Sequence, residues 1–167
     1  MTLLGGFELC DADGSALPLP YDKVRALLAL LALQSGPLTR ETLAELLWPD
    51  SELAQARANL RRALFDLRLS LSKLLPKPAL ETLLVADKKH IQLHDSPALV
   101  IDCREFTLAQ LDAAAPHTEA RRLALERARA LYRGELLIGL SLSDAPGFNA
   151  WRPWPRCWSR PASTQRR

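Results

Sequence analysis

Apolar residues recur along this chain with a helical period, broken by short stretches that alternate. Residues 22–34, DKVRALLALLALQ, carry Leu27, Leu28, Leu30 and Leu31 on one broad face, so they predict a helix, with Asp22 as its N-cap and Gly36-Pro37 as its stop. Thr39 is placed to cap a second helix, with Thr42 where a capping box wants Glu or Gln. Its apolar face is Leu43, Leu46 and Leu47, and Trp48-Pro49 ends it. A third and longest helix is predicted over about 52–74, capped by Asp50 or Ser51 and closed by Pro76 and Pro78.

Alternation marks the strands. Residues 3–9 and 16–20 predict two short strands around the turn DADG, and 82–86 and 90–94 predict a hairpin with Asp87-Lys88-Lys89 at its tip. LVID at 99–102 predicts one more strand. From residue 103 the period is helical again: CREFTLAQLDAAA forms one helix and HTEARRLALERARALYRG a second, with Ala120, Leu123, Ala124 and Leu131 inward and Gly134 as its stop. ELLIGLSLSD reads as a connector, and DAPGFNAW begins an element that does not finish. Residues 152–167 are rich in Pro, Trp and Arg, have no period, and read as an irregular basic tail.

Charge changes the picture only locally. The net charge is +3, but residues 151–167 hold five Arg and no acid, and the other 150 residues carry 17 basic and 19 acidic side chains. Within 51–78 the balance is six basic against two acidic, Arg57, Arg61, Arg62, Arg68, Lys73 and Lys77 against Glu52 and Asp66. On a helical wheel, Leu53, Leu60, Leu64, Leu67, Leu71 and Leu74 fall within about 40° of one line. Arg57, Arg61 and Arg68 form a stripe on one flank, spread along about 16 Å of helix. Arg62 lies on the far face and Asn59 on the other flank, while Phe65 and Leu69 fall off the leucine stripe, free to pack on the hairpin or a neighbouring domain.

That arrangement suits a helix in a DNA major groove, where guanidinium groups reach guanine edges or clamp phosphates. A solvated amphipathic helix carries arginines too, but here two short helices precede it and a lysine-tipped hairpin comes after it. Together these predict a winged helix–turn–helix whose hairpin touches the backbone or the minor groove. The candidate DNA-binding residues are Arg57, Arg61, Arg62 and Arg68, with Lys88 and Lys89 at the tip and Thr39 and Arg40 at the start of the second helix.

Other chemistry is thin. Cys10, Cys103 and Cys157 are scattered, which speaks against a disulfide framework or a zinc module. His90 and His94 are too far apart on one strand to share a metal. No nucleophile and base fall into a recognisable pattern, so no enzyme, cofactor or metal is expected; Cys103 is expected to be a packing cysteine. RALLALLAL is nine residues, far short of a membrane span, and no signal-peptide pattern opens the sequence, so the chain reads as soluble and cytoplasmic.

LLGGFEL, LPLPYDKVRALLALLAL, LTRETLAELLWPD and ARANLRRALFDLR resemble the N-terminal domain of the SARP family, the Streptomyces antibiotic regulatory proteins, which is similar to the OmpR/PhoB-type winged helix. VIDCREF and ALERARALYRGELLIGL resemble the start of the helical, TPR-like bacterial transcriptional activator domain that comes next in that family. The resemblance covers about residues 3–151 and departs from the family near Trp151, where the helical domain should continue. It implies a mainly α fold with a small β part (α+β): a winged helix–turn–helix over 1–102, a truncated TPR-like domain over 103–151, and the tail. It also implies a transcriptional activator that binds direct repeats in promoter DNA and recruits RNA polymerase. It carries Arg62 into the DNA-facing set, where the wheel alone favours Arg57, Arg61 and Arg68. The other reading is a protein-interaction module that uses the TPR-like helices without specific DNA binding. A half-built helical repeat leaves an apolar face open, so self-association is expected as well.

Overall fold

A computed structural model of the chain describes residues 1–34, 36–113 and 119–151. The predicted tail, 152–167, lies outside the described residues, as do Ala114 and Ala115 at the end of the first helix predicted after residue 103. The fold is α+β, with helices around one small antiparallel sheet.

Helix α1 (Asp22–Leu33) is the centre of the core. Val24 and the unbroken run Ala26–Ala32 are buried, so this helix has almost no polar face and other elements cover it on several sides. Asp22 is not its cap. Tyr21 holds the N-cap position in an extended conformation, and Asp22 is the first helical residue, paired with Arg25. A carboxylate there still complements the helix dipole.

Thr39 caps α2 (Arg40–Leu47) as expected: its Oγ1 accepts the Thr42 amide at 3.0 Å. That bond is one half of a capping box; the Thr42 hydroxyl meets Thr39 Oγ1 at 2.8 Å rather than returning to the Thr39 amide.

Helix α3 (Leu53–Leu71) starts from Glu52 without a side-chain cap, so neither Asp50 nor Ser51 plays that role. Leu60, Leu64, Leu67 and Leu71 are buried, whereas Leu53 is half exposed and Leu74 lies past the helix end. The helix stops three residues early because Ser72–Leu75 turn tightly, with the Ser72 hydroxyl donating to the Leu69 carbonyl. Pro76 and Pro78 do not merely close α3. They open a further helix, α4 (Lys77–Leu83), where a missing proline N–H costs nothing in the first turn.

The first strand of the hairpin therefore begins at Leu84, two residues later than predicted, and the sheet gains a short strand before α2. Strand β1 (Leu38–Thr39), β2 (Leu84–Ala86) and β3 (His90–Leu93) lie in the order β1-β3-β2, all antiparallel. Leu38 pairs with Ile91, and Leu84 with Leu93. Ile91 and Leu93 point into the core while His90 and Gln92 are half exposed.

The two strands predicted before α1 do not join this sheet. Between and within themselves they make the isolated bridges Thr2–Glu8 and Cys10–Ala16, and Pro18 and Pro20 have no N–H with which to extend the second stretch. Leu4 bridges instead to Leu136, far along the chain. Nor is 99–102 a strand: Asp102 opens α5 (Asp102–Asp112). The Asp102 carboxylate is buried and accepts the amides of Leu3, Leu4 and Cys103 at 2.7–3.0 Å. Burial pushes its pKa up, and those three amide bonds oppose the shift. Cys103 is buried beside it, and burial raises its thiol to about 12, as suits a packing cysteine.

Helix α6 (Glu119–Leu131) packs on α5 through Ala124 and Ala128, small residues that permit close approach. Ala120 and Leu123, expected inward, are exposed. The helix ends at Leu131, three residues before Gly134, whose role is spatial: a Cβ at Gly134 would lie 3.2 Å from Gly5 Cα. Residues 135–144 are more than a connector. Leu136, Leu137, Leu140 and Leu142 are buried, and the Leu137 amide donates to the Leu3 carbonyl at 2.8 Å. Helix α7 (Pro146–Trp151) then buries Phe148 completely and sets Gly147 against Leu46 of α2. Lys23 ties this end to the first helices, pairing with Asp144 at 2.7 Å and donating to the Leu47 carbonyl at 2.6 Å, under the Trp48 ring. One apolar cluster thus runs from Leu3 through α1 to Phe148.

Candidate nucleic-acid interface

Helices α1, α2 and α3 with their short turns, and then the β2–β3 hairpin, put α3 beside a projecting wing. Between α3 and the hairpin lies an open groove of about 1020 Å³, with Leu60 and Leu64 in its lining. Seven of the eight candidate residues line it. Arg57, Arg61 and Arg68 come from α3, Thr39 and Arg40 from the start of α2, and Lys88 and Lys89 from the hairpin tip.

The tip is shaped by its own aspartate. Asp87 Oδ1 accepts the amides of Lys89 (2.6 Å) and His90 (2.7 Å), which tightens the turn and holds the carboxyl below its ordinary pKa. Lys88 and Lys89 are left exposed beyond it. Arg40 joins the tip to α2: its Nε donates to the Asp87 carbonyl, and its amide to the Lys89 carbonyl, each at 2.8 Å. Burial lowers the Arg40 pKa, and the positive charges of Arg68 and Arg61 lower it further against the pull of Asp87.

Among the described residues, Arg61 and Arg68 have no ion-pair partner. Both are exposed beside Arg40, so the groove gathers positive charge that a polyanion complements. Arg57 differs, since its Nη2 is paired with Glu41, also in the groove lining.

Arg62 is the candidate that the groove leaves out. It turns to the far flank, where its Nε meets Asp66 at 3.0 Å and its guanidinium lies 5.9 Å from the Phe65 ring centre. The resemblance carries it into the DNA-facing set, but an acid four residues on holds it back along its own helix. Phe65, in turn, packs on neither the hairpin nor a neighbouring domain. It lines the groove with 59% of its surface exposed, and Leu69 is 55% exposed. Phe65, Glu41 and His90 are lining residues that the sequence pattern does not nominate. Asn59, on the other flank, accepts from Gln55 at 2.8 Å. Among the described residues no three His, Cys, Asp or Glu side chains gather as a metal site, and no helix is long and apolar enough to cross a membrane.

No family model matches the chain, nor does any curated protein. Among solved structures, Mycobacterium tuberculosis EmbR in complex with a low affinity phosphopeptide is similar over 89% of this chain, with 26% identity and a TM-score of 0.70. The chain spans 39% of that EmbR chain. In fold, then, this chain is similar to EmbR: a SARP-like winged helix with further helices after it.

Proposed function

We propose that this chain is a DNA-binding transcriptional regulator that lays α3 in the major groove and its hairpin tip on the backbone or in the minor groove. The observation that carries this reading is the groove itself, where Arg61 and Arg68 of α3 face a lysine-tipped wing and, among the described residues, have no acid partner. Guanidinium groups aimed out of one helix face read guanine edges bidentately and hold phosphates, and the lysines add position without sequence. The likeness to EmbR, a transcriptional regulator, supports the same class. Activation, direct repeats in promoter DNA and contact with RNA polymerase are the finer part of the proposal and rest on the sequence resemblance to the SARP family.

The test is selection of random duplex DNA on the purified chain at low and at roughly physiological salt. Specific recognition leaves an enriched motif at the higher salt, while purely electrostatic binding leaves none and fades steeply.

A second reading has its own observation. Leu108 and Leu111 on α5 and Leu123 and Leu125 on α6 are between 45% and 66% exposed. Exposed leucines on adjoining helices fit a protein partner or a second copy of the chain. Size measurement across a concentration series checks it: a monomer at every concentration counts against self-association.

A further inference from the structure

Phe65 stands out on α3. Leu60, Leu64, Leu67 and Leu71 of the same helix are buried, yet this aromatic ring is 59% exposed in mid-helix. On the wheel it falls between Arg61 and Leu69 on the outermost ridge, the part of a helix that goes deepest into a groove. Its surroundings decide what can cover it. Arg61 and Arg68 line the groove with it, and Arg62 lies 5.9 Å from its ring centre. An occupant of this place must be polyanionic and still offer an apolar contact. Duplex DNA does both, because the thymine 5-methyl is an apolar group displayed in the major groove. Arg62, paired with Asp66, lies near the ring and still leaves 59% of Phe65 exposed.

Resting on the proposed function, we propose that Phe65 is a specificity-determining residue that seats against the 5-methyl group of a thymine next to a guanine read by Arg61 or Arg68. Phe65 is four residues from Arg61 and three from Arg68, about 6 and 4.5 Å along the helix. Base pairs are about 3.4 Å apart, so the thymine lies within about two base pairs of that guanine.

Deoxyuridine tests this, because it differs from thymidine only by the methyl. Each thymine of the selected duplex is replaced in turn, and affinity is measured for the wild-type chain and for Phe65→Ala and Phe65→Leu. Phe65 is exposed, so both variants keep the core intact. One replacement is expected to weaken the wild type about fourfold, the worth of one buried methyl group. Phe65→Ala is expected to bind the thymine duplex more weakly and to be indifferent to that replacement; Phe65→Leu keeps part of the discrimination. A chain that selects a motif but ignores every thymine methyl overturns this inference alone. So does a deoxyuridine effect that persists undiminished in Phe65→Ala, or a Phe65→Ala variant that binds as the wild type does, as it will if the ring serves a protein partner. A chain that selects no motif overturns the DNA-binding reading and this inference with it.

Discussion

Arg40 and Asp87 lie 47 residues apart and are joined by a single side-chain hydrogen bond, Arg40 Nε to the Asp87 carbonyl at 2.8 Å. The bond fixes the wing relative to the first turn of α2, beside the backbone bond from the Arg40 amide to Lys89. Arg40→Met keeps the apolar stem and removes the donor and the charge. It is expected to lower stability by about 1.5–3 kcal/mol, the range for a hydrogen bond from a charged group. Hydrogen exchange at the amides of 88–93 should speed up more than exchange in α1. Unchanged exchange in the hairpin would show that the backbone bond alone holds the wing.

Arg61 and Arg62 are neighbours in sequence with opposite surroundings, the first in the groove with no ion-pair partner among the described residues and the second paired with Asp66 behind it. Arg61→Ala is expected to cost about 1–3 kcal/mol of affinity for the selected duplex and to relax the preference at one base pair. Arg62→Ala should change affinity by less than about 0.5 kcal/mol. Equal losses in a titration of both variants would place Arg62 on the DNA as well.

Glu41 sets an acid among the groove's cations and holds Arg57. A phosphate approaching Arg57 competes with that carboxylate for its charge. Glu41→Gln removes the competitor and is expected to tighten duplex binding a few-fold at low salt, with a steeper salt dependence. An exposed ion pair contributes about 0–1 kcal/mol, so folding stability should hardly move. Weaker binding by this variant would mean that Glu41 itself touches a base, as a carboxylate does when it accepts from cytosine.

The groove was legible in the sequence because its parts are local. The leucine period of α3 sets which flank its arginines occupy, and the Asp87-Lys88-Lys89 turn announces a hairpin whatever else surrounds it. The i,i+4 pair Arg62–Asp66 was equally local, and it is the signal that places Arg62 away from Arg61. The hidden parts of the fold depend on partners far along the chain or on context. A proline can end one helix or sit in the first turn of the next, so Pro76 and Pro78 concealed α4. Residues 3–9 alternate like a strand, but their partners are the Asp102 carboxylate and residues 135–137, which no local pattern shows.

Gly5 marks that hidden contact. It has φ +86°, and a Cβ there would lie 2.9 Å from Arg133 Cβ. Gly14 has a similar φ of +83° with open space around it. Gly14→Ala is expected to cost about 1 kcal/mol, the backbone strain alone. Gly5→Ala adds a clash between two segments that must meet, for a loss of at least about 2 kcal/mol. Equal urea midpoints for the two variants would show that residues 1–6 and 133–138 can separate cheaply.

Tyr21 gives the fold a pH dependence of known sign. Its hydroxyl donates to Asp66 Oδ2 at 3.0 Å, the same oxygen that takes Arg62 Nε. Burial first, and then the bond to Asp66, raise the phenol from its ordinary 10.0 to about 12. Between those values the unfolded chain has lost this proton while the folded chain still holds it. Stability from Tyr21 is therefore fully present below pH 10 and falls as pH rises from 10 to 12. Tyr21→Phe removes the hydrogen bond at a cost of about 1 kcal/mol at neutral pH, and removes this part of the alkaline slope. Other alkaline groups titrate in both proteins, so the quantity to read is the difference between their urea midpoints at pH 7, 10, 11 and 12. That gap should be widest at pH 7 and close toward pH 12. A gap that stays constant across the series would mean that the phenol titrates at the same pH folded and unfolded, and that Asp66 does not hold it.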